Sequence, residues 1–236
     1  MSAEGRTPPF LPNPMNILVL GASRGIGLEF VRQYREAGHA VIATARDADG
    51  IARIEALGAK ALKVDLADPA SASGLGWQLD GEKIDVALYV AGVMSRGGAK
   101  QAPARDDFDR VLRTNVWGAM QAIVQVAPLV EAAQGRFVFI SSQMGHIAGV
   151  ESSYSWVYRA SKAALNMAVA SAQPDYPAAS FAVLSPGWVR TDMGGANADL
   201  AVDASVEWMV HTIAKLPHHP RHVPFVDYDG RPFKGW

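Results

Sequence analysis

The stretch NILVLGASRGIGLEFVRQYREAG, residues 16–38, decides how the rest of the chain is read. A short apolar run, residues 17–20, passes directly into Gly21-Ala22-Ser23-Arg24-Gly25-Ile26-Gly27, and a segment of helical period follows and stops at Gly38. Glycines at a strand-to-helix junction permit a tight turn, the approach of backbone N–H groups to a diphosphate, and close packing of helix on strand. The helix N-terminus then faces the anion. A tight turn without a ligand is the alternative, but a place at the first β-to-α junction favours dinucleotide binding.

The same alternation continues outward. Apolar runs at 17–20, 40–45, 61–64, 86–90, 136–140, 180–184 and 223–226 read as strands. Between them, 25–37, 49–57, 111–132, 154–172 and 203–215 carry apolar residues at spacings of three and four. Such βαβ units predict an α/β protein: a single Rossmann-type, doubly wound domain over 15–236. Its seven-stranded parallel sheet is expected in the order 3-2-1-4-5-6-7, with helices on both faces. Ligand chemistry should then lie just after the strands, at the edge where strand order reverses. Residues 1–14, MSAEGRTPPFLPNP, hold four prolines and lack the basic start and apolar centre of a signal peptide. They read as a flexible arm, and Met15 could be the original start of the folded unit.

Composition narrows the function classes. The chain has 236 residues, 49% of them apolar, with 22 glycines and 14 prolines, which excludes disorder for most of it. A net charge of −1 gives no electrostatic basis for holding nucleic acid or an anionic membrane surface. No apolar run approaches the roughly 18–20 residues of a spanning helix. The absence of cysteine excludes disulfides, thiolate metal sites and a Cys nucleophile, and fits a cytoplasmic location. No metal is expected: His218, His219 and His222 stand in a proline-broken segment without accompanying carboxylates, which reads as a solvated loop.

Tyr158-Arg159-Ala160-Ser161-Lys162 sets a phenol and an ammonium four residues apart, on one helix face. A free phenol titrates near pH 10, and a neighbouring ammonium stabilises its phenolate, so the pair suits proton transfer. By itself the spacing is weak evidence, since it arises by chance on many helices. Tyr154 is a poorer candidate because its own partner at i+4 is Tyr158, and Ser161 reads as a packing residue.

With these residues quoted, the sequence resembles the short-chain dehydrogenase/reductase family. The G-x-x-x-G-x-G spacing of Gly21, Gly25 and Gly27 is that family's own. Thr114-Asn115-Val116, Ser141-Ser142, the Tyr158/Lys162 pair and Pro186-Gly187-Trp188-Val189-Arg190-Thr191 match it in order and in place. YRASKAALNM, PGWVRTDMGG and FVDYDGRPFKGW look like its C-factor or sniffer-like carbonyl reductase branch. The resemblance covers nearly all of residues 16–236.

The resemblance implies an oxidoreductase that reduces aldehyde or ketone carbonyls, with reversible hydride transfer. Ser142 would hydrogen-bond the carbonyl oxygen and Tyr158 would pass the proton. Lys162 would hold the nicotinamide ribose and lower the phenol pKa, and Asn115 would position a water behind Lys162. Ser142 is preferred to Ser141 because the second Ser of the pair faces the site in the family, and period-two alternation separates the two.

For the cofactor, Gly21, Ser23, Arg24, Gly25, Ile26 and Gly27 would cradle the diphosphate, and Asp65 and Leu66 would hold the adenine. Asp65 acting as a helix cap is the alternative. Ala91 and Gly92 would lie against the ribose, and Pro186, Gly187, Val189 and Thr191 against the nicotinamide. The second strand ends Ala45-Arg46, without the acid that selects NAD, so Arg46 and Arg24 point to NADP(H), slightly weakened by Asp47.

Gln143, Met144, His146, Trp188 and Met193 are candidate substrate-pocket residues, as is Trp208. Met193-Gly194-Gly195 could hinge a short lid. The chain departs from the family at Tyr89-Val90-Ala91-Gly92, where Asn-Asn-Ala-Gly is usual. Tyr89 and Val90 cannot supply the usual amide hydrogen bonds, so the sheet there is expected to be less well braced. Small residues at Gly118, Ala119 and Ala122, with Ala160, Ala163 and Ala164, suit helix-to-helix approach in a homodimer or homotetramer, unless they pack on the sheet. The alternative to an enzyme is an NADP(H)-binding signalling or redox-sensing protein with little turnover. A plain interaction module would leave the glycine turn and both arginines unexplained.

Overall fold

The computed structural model describes residues 14–236. The proline-rich arm therefore lies, apart from Pro14, outside the described residues.

Seven strands alternate with helices. They are β1 (Asn16–Leu20), β2 (Ala40–Ala45), β3 (Lys60–Lys63), β4 (Val86–Tyr89), β5 (Arg136–Ile140), β6 (Ser180–Ser185) and β7 (Phe225–Asp227). All pairs are parallel, and the order is β3-β2-β1-β4-β5-β6-β7, as expected. The order reverses between β1 and β4, where Leu18 pairs with Ile42 on one side and Ala87 on the other. Strands such as NILVL and RFVFI are apolar at nearly every position because helices cover both faces.

The helices are α1 (Gly25–Glu36), α2 (Ala48–Ala56), α3 (Pro69–Ser73), α4 (Leu75–Gln78), α5 (Arg105–Leu112), α6 (Gly118–Ala132), α7 (Trp156–Ala172) and α8 (Val202–Lys215). One core layer packs α4, α6 and α7 against the sheet through Leu75, Ile123, Val126, Leu165 and Phe139. The other packs α1 and α8 through Phe30, Val31, Val206 and Met209. Among the described residues no helix is long and apolar enough to cross a membrane.

Three details differ from expectation. The continuous helix expected over 111–132 is broken: α5 begins at Arg105, and a π turn, Arg113–Trp117, separates it from α6. Short α3 and α4 escape a reading by periodicity because neither completes two turns; Asp68 caps α3 by accepting from Ser71 N at 2.9 Å. The end of β4 is braced after all. Tyr89 is fully buried, and its hydroxyl donates to the Thr114 carbonyl at 2.7 Å, so a phenol supplies a bond that amides were expected to supply.

Candidate active site

The glycine turn follows β1 and opens α1 with its geometry fixed by contacts. Gly21 has φ +92, and a Cβ there would lie 2.7 Å from Ala91 N. At Gly27 a Cβ would lie 2.1 Å from the Gly21 carbonyl oxygen, so only glycine lets α1 approach β1 this closely. Thr44, which the sequence did not single out, shapes the turn: its hydroxyl accepts from Gly21 N at 2.9 Å and its carbonyl from Ala22 N at 2.8 Å. Arg53 of α2 donates to the Ser23 carbonyl at 2.8 Å.

The N-terminus of α1 has no side-chain cap and no acidic residue in its first turn. Backbone donors in a glycine cradle, with no competing carboxylate in the helix's first turn, fit the diphosphate of a dinucleotide. Ser23, Gly25 and Ile26 are half-buried and Arg24 is exposed. A Cβ on Gly25 would lie 3.5 Å from Thr191, so the turn meets the segment after β6.

Where the adenosine end is expected, Arg46 is exposed directly after β2. Asp47 caps α2, accepting from Gly50 N at 2.7 Å, so its carboxylate is engaged with that helix. Arg24 forms an exposed ion pair with Asp192 at 3.1 Å. Asp65 follows β3 and accepts from Ala67 N at 2.9 Å; the helix cap is Asp68, not Asp65. Leu66 is buried beside it, its carbonyl oxygen 2.6 Å from where a Cβ on Gly118 would stand.

Strand ends and α7 bring the predicted catalytic residues together. Ser142 follows β5; its hydroxyl accepts from Met144 N at 3.0 Å and lies near enough to the Tyr158 phenol to favour its ionised form. Ser141 points the other way, its hydroxyl donating to Asn166 Oδ1 at 2.6 Å, which is the alternation expected of adjacent extended residues. Tyr158 is buried and Tyr154 is half exposed. Lys162 is buried too; its Nζ donates to the Ile140 carbonyl at 2.8 Å and lies 5.7 Å from the centre of the Tyr158 ring. A Cβ built on Gly92 would lie 3.5 Å from both Lys162 Nζ and Asn115 Oδ1, so these groups converge at the end of β4.

Burial dominates the electrostatics. It pushes the Tyr158 phenol up to about 12, and the Ser142 hydroxyl works against that rise. Burial likewise pushes Lys162 down to about 7. The group that lowers the phenol here is Ser142; the expected lowering by Lys162 is not among its causes.

Asn115 and Ser161 make bonds that the sequence did not foresee. Asn115 is fully buried, and its side chain is spent on protein: Oδ1 accepts from Val93 N, and Nδ2 donates to the Val93 carbonyl and to Ser161 Oγ, all at 2.8–2.9 Å. The amide clamps the β4 end to α7. Ser161 does more than pack, since its hydroxyl takes that bond and donates to the Tyr158 carbonyl at 2.7 Å. The π turn is the local signal that places Asn115, and nothing in the helical period reveals it.

The remaining candidates lie after β5 and β6. Gln143 and Met144 lie in a 3-10 turn after Ser142. His146, expected at the substrate, instead packs its ring on Phe225 and Phe233, with Nε2 3.0 Å from the Lys234 carbonyl, so it anchors the C-terminal tail. Pro186 accepts from Ser205 Oγ, and Gly187 takes φ +76 where a Cβ would strike Leu200 and Tyr228. Val189 is buried and bridges Leu200, and Trp188 is exposed, its Nε1 donating to the Gly194 carbonyl.

The expected hinge is a tied loop. Thr191 Oγ1 accepts from Gly194 N, the Thr191 carbonyl accepts from Gly195 N, and a Cβ on Gly194 would lie 2.1 Å from the Val189 carbonyl oxygen. Met193, half-buried, sits within it, whereas Trp208 is an exposed residue of α8 packed on His211. The loop histidines are not simply solvated: His218 Nε2 lies 2.8 Å from Arg136 and His219 N donates to Ser180 Oγ. Among the described residues no group of three or more His, Asp or Glu could hold a metal ion.

Comparison with known proteins agrees with this fold. C-signal of Myxococcus xanthus is 36% identical over 151 residues, covering 62% of this chain and 90% of that protein. A Burkholderia multivorans structure described as a short-chain dehydrogenase/reductase with bound NADP superposes with TM-score 0.85 at 30% identity, covering 95% of this chain and 100% of that one. The carbonyl reductase Sniffer of D. melanogaster superposes equally well, TM-score 0.85 at 28% identity, with the same coverage. The sequence profile described as short chain dehydrogenase matches residues 15–200, and with the glycine turn, the seven-stranded order and the Ser142-Tyr158-Lys162 cluster it establishes that the chain belongs to the short-chain dehydrogenase/reductase family, alongside C-signal and Sniffer.

Proposed function

We propose that the protein is an NADP(H)-dependent carbonyl reductase acting on small aldehydes or ketones. The observation that carries this reading is the cluster at the ends of β4 and β5 of half-buried Ser142 with buried Tyr158 and Lys162, where Lys162 Nζ lies beside Gly92, next to the Ala91 that packs on the glycine turn. A bound nicotinamide supplies a hydride to the carbonyl carbon or accepts one from the alcohol. Tyr158 donates its phenolic proton to the carbonyl oxygen, and Ser142 donates a hydrogen bond to that oxygen as charge develops on it. Lys162, when charged, steadies the resulting phenolate, which regains its proton from solvent. Gly21, Ser23, Gly25, Ile26 and Gly27 hold the diphosphate, Asp65 and Leu66 the adenine, Ala91 and Gly92 the ribose, and Pro186, Gly187, Val189 and Thr191 the nicotinamide.

Arg24 and Arg46 support NADP(H) over NAD(H), and the NADP-bound Burkholderia relative supports it independently. Asp47, turned into a helix cap, does not offset them. Each arginine replaced by Ala is expected to weaken NADPH binding about tenfold, the worth of one charge-assisted contact, while NADH affinity stays within about twofold. Equal losses for the two cofactors would contradict the assignment. Aldehydes, diketones and quinones offered with NADPH test the activity itself; turnover of at least one, lost in Tyr158→Ala, is the expected result. Tight NADPH binding with no turnover would favour the signalling or redox-sensing alternative.

Exposed Met120 and Val124 on α6 and Met167 on α7 support assembly into a homodimer or homotetramer across these helices, in the cytoplasm. The small residues Ala119 and Ala122 serve the core instead.

A further inference from the structure

Tyr89 stands where the family usually has Asn, and packing alone does not explain it. A ring is enough for its place in the core, where it stacks on Phe139 with centroids 6.0 Å apart. A phenolic hydroxyl buried to this degree is costly unless bonded. Its bond goes to one particular carbonyl. In an α-helix Gly118 N would donate to Thr114 O; here Gly118 N donates to Arg113 O, which defines the π turn, and Thr114 O takes the Tyr89 hydroxyl. A Cβ on Gly118 would lie 2.7 Å from that same hydroxyl oxygen, so the glycine keeps the path open.

The π turn contains Asn115. Removing its extra residue from the helical register would rotate Asn115 by about 100° relative to α6. Asn115 would then leave both Val93 backbone groups and Ser161 Oγ. Ser161 in turn bonds the Tyr158 carbonyl.

We propose that Tyr89 is a positioning residue: its hydroxyl holds the Thr114 carbonyl outside the helical ladder and so fixes the π turn that ties Asn115 to the β4 end and to the helix carrying Tyr158 and Lys162. It acts through Asn115 and touches no reacting atom. The proposal rests on reading Tyr158 and Lys162 as the machinery of carbonyl reduction.

The test is Tyr89→Phe, which keeps the ring and deletes the hydroxyl. Expected is a kcat lower by tenfold or more, with KM for NADPH within twofold of wild type and no further loss when Tyr89→Phe is added to Asn115→Ala. Phe139→Leu, which disturbs the same core without touching the bond, is the control for destabilisation and should keep kcat within twofold. A second readout needs no turnover: the side-chain amide NMR signals of Asn115 should shift in Tyr89→Phe and not in Phe139→Leu. Retained kcat with unshifted Asn115 signals would overturn the proposal, as would a loss that multiplies unchanged onto Asn115→Ala. Shifted Asn115 signals in a protein that reduces no carbonyl would uphold the brace and sink the reductase reading instead.

Discussion

Tyr158 and Lys162 titrate in opposite directions from their ordinary values, and this sets an expected pH dependence. The phenol, held up at about 12, stays protonated through the neutral range, so the reductive direction is limited by Lys162, which loses its charge near 7. NADPH-dependent reduction should therefore fall in kcat/KM as pH rises through about 7, and a flat profile from acid to alkaline pH would refute the assignment. The same burial has a stability consequence. The folded-state pKa of Lys162 lies below its ordinary 10.5, so folding favours the neutral amine. The cost of burying the charged form is full below the folded value and fades toward the unfolded one. Lys162→Met should accordingly abolish turnover yet raise Tm, with a larger gain at acid pH than at alkaline pH; thermal melts across pH check this. Ser142, Tyr158 and Lys162 were legible in the sequence because spacing and alternation dictate which side of a strand or helix they occupy. Tyr89 and Ser161 were not, since the partners that give them their roles, the Thr114 carbonyl and the Asn115 amide, are placed by a break in helical register.

At the scale of elements, the β1 turn and α1 were readable from the apolar run, the glycine spacing and the helical period that follows, and the structure adds how little slack they have. Gly27→Ala should destabilise the fold by about 1–3 kcal/mol, the usual cost of overpacking, or a Tm drop of roughly 2–10 °C for a chain of this size. Differential scanning calorimetry measures it, and an unchanged Tm would mean that the contact with the Gly21 carbonyl is not restrictive. The segment 188–200 escaped the sequence reading for a different reason. Its glycines suggested a hinge, but Gly194 is there because the Val189 carbonyl passes too close for any side chain, and Arg190 holds the Ala198 carbonyl at 3.1 Å. His146 illustrates the same limit: chain proximity to Ser142 suggested a substrate contact, whereas the returning tail, distant in sequence, claims its ring.

For the whole molecule, βαβ alternation called for a parallel sheet with right-handed crossovers, and the Rossmann-type reading of the glycine turn selected the order 3-2-1-4-5-6-7 among the doubly wound ones. Assembly is not encoded so directly. Val124 is 66% exposed on α6 and Met167 67% exposed on α7, an apolar surface that covering by a second copy would bury. Sedimentation equilibrium should find a dimer or tetramer, and Val124→Asp should shift it toward monomer; a wild-type monomer at high concentration would contradict the proposed assembly. The central claim, hydride delivery coupled to a Tyr158 proton, is tested most directly with NADPH deuterated at the transferring position and an aldehyde acceptor. The predicted result is an alcohol carrying deuterium at the former carbonyl carbon, formed by the wild type and lost by a factor of about 100 or more in Tyr158→Phe, with NADPH affinity retained. An unlabelled alcohol, or a Tyr158→Phe variant that turns over at the wild-type rate, would contradict it.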